Sequence, residues 1–357
     1  MSKITRKSGL GALLSETAEF PSEIRTDYRD GHLSVISHMR GGSYLTHIMS
    51  DEYKISSGAS VPVQPSAEEI ARCAFEPGKE SLNVDVLRLG KPWRIRVIEN
   101  KSPSLVRSAP RSSRESEDGL FSLLGGYGAH EVVIESNNHQ DVFEEMPQQR
   151  IREILGVLAE REEDLYAIPG VKYVQIFRNY GSRAGASMPH PHSQILAWPM
   201  LPTTIKKESQ RVRAYRERRL RCLYKDALAG EHYGGRVLTE NDTFVAIAPF
   251  GSRFAAESMI LPKRHVNYFP SLSEKELGDL ASILKTVLTT NRALFGNQPY
   301  NLTLHDLRQN PDMHMHFEIY PRILNVAGVE LGQDVFVNTI PPEEYASKFR
   351  NKLSKKL

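Results

Sequence analysis

Residues 179–198 read NYGSRAGASMPHPHSQILAW. Pro189 and Pro191 exclude a helix there and favour extended neighbours. The stretch from His190 onward therefore reads as a strand, and side chains two apart on a strand share a face. His190, His192 and Gln194 then project together. Just upstream, Gly181 and Gly185 sit among small residues, in a loop whose backbone N–H groups can come close to phosphate oxygens. A histidine beside such a cradle has two uses, as nucleophile or as general acid–base. A lone strand histidine is ordinarily a packed or surface residue. Two on one face beside a glycine-rich loop are a functional signal.

Working outward, GHLSVISH (31–38), WRIRVIEN (93–100), HEVVIES (130–136) and VKYVQIFRN (171–179) alternate as half-buried strands do. Between the last two, Ile151, Ile154, Leu155 and Leu158 fall at helical spacing. Downstream, a strongly charged helical stretch runs to Gly230. A second set follows: strands in GRVLTENDTFVAIAPF (235–250) and ESMILPKRH (257–265), then a helix opened by the Ser273/Glu276 capping-box pattern and closed by Gly296. YNLTLHDL (300–307), DMHMHFEIYPR (312–322) and DVFVNTI (334–340) complete it. The theme of strands, one long helix and a histidine-bearing strand thus occurs twice. The expectation is an α+β, pseudo-duplicated fold of antiparallel sheets with packed helices. Its parts are an N-terminal arm (1–20), a first half carrying the active-site strand (21–204), a connector helix (205–230) and a second half (231–357).

The 357 residues are 40% apolar and 25% charged, ordinary globular values. The net charge of +3 neither favours nor excludes a polyanionic partner. Glutamates interspersed along the basic segment KKESQRVRAYRERRLR make it a solvated connector, so no nucleic-acid partner is expected. Only Cys73 and Cys222 are present, which fits a reducing compartment, and no stretch is long enough to span a bilayer. A cytoplasmic protein with no membrane contact is expected.

The segment NYGSRAGASMPHPHSQ resembles the active site of the galactose-1-phosphate uridylyltransferase family, a branch of the histidine-triad superfamily. The family pattern is an Asn, a Gly/Ala/Ser-rich loop, then His-Pro-His-(Gly or Ser)-Gln. WRIRVIENKSPSL (93–105) resembles its nucleotide-contacting strand, and ILPKRH (260–265) with HMHFEIYPRILNVAGVELG (314–332) resembles its C-terminal half. The likeness runs from about residue 22 to the end. It implies two histidine-triad-like halves and a nucleotidyltransferase of carbohydrate metabolism in which His192 is the nucleophile. UMP or AMP would pass from a nucleoside diphosphate sugar to a sugar 1-phosphate or phosphate. The His190 carbonyl would orient the His192 ring, and Gln194, in place of a third histidine, would grip non-bridging oxygens and disfavour hydrolysis. Arg40, Asn100, Asn179, Gly185, Ala186 and Ser187 match nucleotide and phosphate contacts, and Glu330 matches a sugar contact made across a homodimer.

The resemblance also implies metals. Cys73, Glu76, His139 and His190 match a zinc site, with Glu76 where relatives carry a second cysteine; zinc accepts carboxylate alongside N and S. Glu208, His305, His314 and His316 match a second site suited to zinc or iron. His265 reads as an ordinary fold residue. Two departures bear on substrate. Ser102 replaces an aromatic beside the nucleotide, and Val329 precedes Glu330 where hexose-binding members carry an aromatic. These leave open an ADP-sugar or dinucleoside polyphosphate phosphorylase, and, in another class, a non-catalytic nucleotide or nucleic-acid binding module.

Overall fold

The strands of the first half are β1 (Ser22–Thr26), β2 (Leu33–Ser37), β3 (Asp85–Leu89), β4 (Ile95–Glu99), β5 (Ser113–Glu115) and β6 (Ser122–Leu124). They continue as β7 (Ala129–Ile134), β8 (Tyr173–Tyr180) and β9 (His192–Trp198). The second half supplies β10 (Val237–Glu240), β11 (Phe244–Ile247), β12 (Ser258–Pro262), β13 (Tyr300–His305), β14 (His316–Pro321) and β15 (Val335–Asn338). The helices are α1 (Ala67–Arg72), α2 (Gln148–Tyr166), α3 (Thr203–Arg219), α4 (Leu223–Tyr233), α5 (Glu274–Phe295), α6 (Gly328–Gln333) and α7 (Pro342–Ser354). This computed structural model describes residues 22–37 and 65–355; the N-terminal arm and Arg40 lie outside them. Among the described residues no helix is long and apolar enough to cross a membrane.

Ten strands form one sheet in the order β10-β11-β12-β14-β13-β8-β9-β7-β4-β3. Divided between β13 and β8, the two halves follow the same path. Three strands pair in sequence, a long helix follows, the next strand goes to the far side, and the last inserts between. The duplication is therefore structural and the α+β class holds. The halves do not close separate sheets: β13 pairs antiparallel with β8, Tyr300 against Tyr180 through Thr303 against Phe177. A small sheet of β1, β2 and β15 lies apart, with β15 parallel to β2.

One face of the large sheet is apolar because α2 and α5 cover it. Ile151, Ile154, Leu155 and Leu158 of α2 and Leu280, Leu284 and Val287 of α5 join Val133, Ile195, Ala197, Leu304 and Phe317 in one core. Helix α5 begins with the expected capping box, Ser273 accepting from the Glu276 N–H while Glu276 reaches back, an arrangement whose loss typically costs about 1 kcal/mol. The period of two then leaves His192 and Gln194 on the opposite face from Ser193, Ile195 and Ala197. The core thus dictates which face is available for chemistry.

The charged connector differs from the single helix expected. It breaks at Leu220, whose φ of 56° is left-handed, and resumes at Leu223 with Cys222 at its cap. The break lets Tyr224 bury fully against His314 and His316, at ring separations of 5.6 and 5.0 Å.

Candidate active site

Strand β9 begins at His192, so the alternation that groups His190 with His192 and Gln194 does not extend back to His190. His190 acts through two different groups. Its carbonyl accepts from Nδ1–H of His192 at 2.8 Å, which fixes the ring and leaves Nε2 with its lone pair. Its own ring turns to a separate cluster. His192 Nε2 has no hydrogen-bond partner among the described residues, and the residue lines a cavity of about 280 Å³ with Asn179, Gly181, Ala186 and Ser187. Burial holds the His192 imidazole below its ordinary value, against the His190 carbonyl and Glu135, so the ring is neutral near pH 7. Beneath it, Ser193 donates to Glu135 at 2.6 Å and Arg178 pairs with the same carboxylate at 3.2 Å, a buried brace for the strand.

The glycine-rich loop is a single 3₁₀ turn, Ser182–Ala184, flanked by Gly181 and Gly185 at φ of 82° and 85°, where a side chain would be strained. Asn179 is tied to it through Asn301, whose Nδ2 donates to Asn179 Oδ1 at 2.8 Å and to the Ala184 carbonyl at 2.7 Å.

Gln194 is held by a residue the sequence did not single out. The Ser104 N–H donates to His130 Nδ1 at 3.2 Å, which places the proton on Nε2, and Nε2–H donates to Gln194 Oε1 at 2.9 Å. With its oxygen taken, the Gln194 amide presents only its NH₂ donors. Asn100 Nδ2 lies 3.1 Å from the same His130 nitrogen, a donor beside a donor, so the contact sets Asn100 next to the Gln194 anchor without a hydrogen bond between them. Burial keeps His130 neutral. Its position on β7, directly across from Leu196 on the His192 face, is a long-range register and leaves no local mark in the sequence.

Behind His192, Cys73, Glu76, His139 and His190 bring one donor atom each within 4.8 Å of one another. His190 Nδ1 lies 3.1 Å from Glu76, 3.3 Å from His139 Nδ1 and 3.7 Å from Cys73 Sγ. A tetrahedral zinc with bonds of about 2.0–2.3 Å separates its ligands by about 3.3–3.8 Å. The two contacts of Glu76 are shorter, 3.1 Å to His190 and 2.6 Å to His139, and they would lengthen around an ion. His190 Nε2–H donates to the Ser136 carbonyl at 2.8 Å, so its lone pair faces the cluster, as ligating histidines are usually held. The donor set fits a zinc ion.

Residues 26–202 match the family described as galactose-1-phosphate uridyl transferase, N-terminal domain. A galactose-1-phosphate uridylyltransferase of Thermotoga maritima is 32% identical over 316 residues, 85% of this chain and 96% of that protein. The chain belongs to the galactose-1-phosphate uridylyltransferase family. Residues 116–357 also match a domain of unknown function (DUF4921). An ADP-glucose phosphorylase of Arabidopsis thaliana is 32% identical over 264 residues, 72% of this chain and 74% of the relative. The crystal structure of an ADP-glucose phosphorylase from Arabidopsis thaliana with bound ADP-glucose aligns at a TM-score of 0.76 and 27% identity, covering 92% of this chain and 98% of that one. As a member of this family the chain is a nucleotidyltransferase acting on sugar phosphates, and the ADP-sugar phosphorylase alternative is also consistent with its relatives.

The family member's second expected metal set is rearranged. Glu208, His305 and His316 converge, but the fourth donor is Glu318, not His314. Strand β14 starts at His316, so His314 precedes it, as His190 precedes β9, and its ring turns away. It donates from Nε2 to the Pro262 carbonyl at 2.9 Å and lies 3.5 Å from Cys222 Sγ. His265, expected to be structural only, lies 3.3 Å from the same sulfur. Burial opposes ionisation of Cys222, but its contacts with His265 and His314 bring it down to about 5. In the remaining cluster His305 Nδ1 is 3.0 Å from Glu208 and His316 Nε2 is 3.6 Å from Glu318. Burial opposes a charge on His305, yet Glu208 and Glu318 together push it up to about 9. Glu208 Oε2 and His316 Nε2 are buried without hydrogen-bond partners, so the set retains unused donors for a cation. Arg29 pairs with Glu318, Glu257 and Asp27 at its rim.

Glu330 is not brought to His192 within one chain. Its carboxylate accepts from the Ala327 N–H at 2.9 Å and the Val337 N–H at 3.3 Å, and it lines a different, small cavity with Arg253, Phe254 and Asn325.

Proposed function

We propose that this chain carries a nucleotidyl group on His192 Nε2, moving UMP or AMP between a nucleoside diphosphate sugar and a sugar 1-phosphate or inorganic phosphate. The observation that carries the reading is the Nδ1–H bond to the His190 carbonyl at 2.8 Å, which leaves Nε2 unprotonated toward the cavity. In the first step the Nε2 lone pair attacks the α-phosphorus and the bond to the bridging oxygen breaks, the electron pair leaving with the sugar 1-phosphate. The leaving group is a stable phosphate and needs no proton, which is why a neutral amide suffices at position 194. Nδ1–H and the His190 carbonyl support the positive charge that develops on the ring. In the second step an acceptor phosphate oxygen attacks the same phosphorus and the N–P pair returns to Nε2. The Gln194 NH₂, aimed by His130, donates to the non-bridging oxygens in both.

Exchange of labelled glucose 1-phosphate into ADP-glucose or UDP-glucose, with no other acceptor present, tests this. Exchange with one of the two nucleotides supports the scheme and names the base. Net turnover without exchange counts against it.

Cys73, Glu76, His139 and His190 are proposed to hold zinc, a structural site that fixes the His190 backbone and through it the His192 ring. Glu208, His305, His316 and Glu318 are proposed to hold a second zinc or iron ion. Glu330 is assigned to the active site of a partner subunit in a homodimer, in keeping with its distance from the cavity of its own chain. The two unbonded thiols favour a reducing, cytoplasmic setting.

A further inference from the structure

Next to the His192 cavity lies a second cavity of about 440 Å³ on the same sheet face, and Asn179 lines both. Two residues past the Phe177–Gln194 pair, Asn179 comes level with His192, and Asn301 faces Asn179 on the next strand. The cations of this second cavity are unequally placed. Arg253 pairs with Asp30 at 2.7 Å, and Lys207 lies 3.7 Å from Asp334. Arg322 has no carboxylate partner among the described residues. Its guanidinium is half-buried and lies over the Phe254 ring at 5.5 Å, which steadies its plane and leaves its edge donors free.

Arg183, in the glycine-rich loop, is likewise half-buried and without a carboxylate among the described residues. It donates to Asn325 at 2.8 Å, three residues from Arg322, while Asn301 ties the same loop down through the Ala184 carbonyl. The two arginines are close enough for Arg183 to add to burial in depressing the Arg322 guanidinium. Two partly desolvated guanidiniums on segments joined by the Arg183–Asn325 bond, each with unused donors, are costly unless an anion joins them.

We propose that Arg183 and Arg322 form an oxyanion subsite beyond the glycine-rich loop, Arg322 lying just past β14, three strand spacings or roughly 14 Å across the sheet from the strand of His192, which takes a second phosphate or carboxylate at the far end of the sugar phosphate. This deepens the nucleotidyl-transfer reading and rests on it for the subsite's place in the reaction, but the binding itself does not require the covalent step. It makes a sugar phosphate that carries a second anionic group the preferred partner of the site.

Titration calorimetry on the full chain tests this, comparing glucose 1-phosphate, glucose 1,6-bisphosphate and glucuronic acid 1-phosphate. One of the two ligands with a second anionic group should bind about tenfold or more tighter than glucose 1-phosphate, and which one does so names the phosphate or the carboxylate. The gap should close in Arg183→Gln/Arg322→Gln, and Arg183→Gln alone, in a surface loop, should already narrow it. Equal or undetectable binding of all three ligands overturns the proposal, as does a gap that survives in the variants. Loss of His192 labelling with an intact gap would instead fault the nucleotidyl-transfer reading.

Discussion

In the first half of the molecule His192 gives its Nδ1–H to the His190 carbonyl at 2.8 Å and presents Nε2 to an open cavity. In the second half His316 gives its Nδ1–H to the His314 carbonyl at 3.0 Å in the same manner, yet its Nε2 is sealed in, 3.6 Å from Glu318. The leading histidine of each pair turns to a cysteine-bearing cluster, His190 to Cys73 and His314 to Cys222. The backbone device is thus the same twice. What differs is the residue two positions on. Gln194 is a neutral amide held by His130, and it leaves room for an anion. Glu318 is a carboxylate that repels phosphate and gathers Arg29 and His305. On the proposed reading the first copy serves the chemistry, while the second is filled with charge.

The strongest test of that contrast removes each histidine in turn. His192→Asn should lower nucleotidyl transfer by about 10⁴-fold or more, whereas His316→Asn should leave transfer nearly unchanged and lower thermal stability; equal loss of activity in both would break the comparison. Grafting the second half's carboxylate onto the first, Gln194→Glu, should cost about 10²- to 10³-fold in kcat/KM by replacing a donor with a repelling charge. An unaffected rate would show that Gln194 does not touch the phosphate. Cys73→Ser, or a strong chelator, should reduce bound zinc and lower Tm, and activity should fall with it because His190 anchors His192. His130→Ala should lower kcat by about tenfold with little change in KM, since it only aims the Gln194 amide. The smallest effect concerns pH. Because the folded His192 pKa is depressed, the neutral nucleophile persists below the ordinary imidazole value, so the acid limb of kcat/KM should have its midpoint below about 6.5. A midpoint above that value would mean that another group limits the rate.

Much of this was legible in the sequence where the signal is local. The strand HSQILAW occupies its expected residues, α5 opens at the Ser273/Glu276 box, and the duplication follows from two matching runs of elements. Alternation could not say where a strand begins, so His190 and His314 were grouped with neighbours from which their rings turn away. Donors that meet only through tertiary register were also hidden. His130 reaches Gln194 across β7 and β9, Glu318 replaces His314 because β14 starts late, and Cys222 meets His265 only because the connector breaks at Leu220. The joining of the two halves through β13 and β8 is a pairing between residues more than a hundred positions apart, for which no short pattern exists.

The proposed reaction passes through a covalent bond from His192 Nε2 to phosphorus. The direct measurement is to incubate the protein with α-phosphate-labelled ADP-glucose and, separately, UDP-glucose, quench in alkali and map the labelled peptide. Acid-labile, base-stable label on the peptide containing His192, from one donor and absent in His192→Asn, is the predicted result. Turnover of either donor with no label on the protein, or label that persists in His192→Asn, would contradict the account.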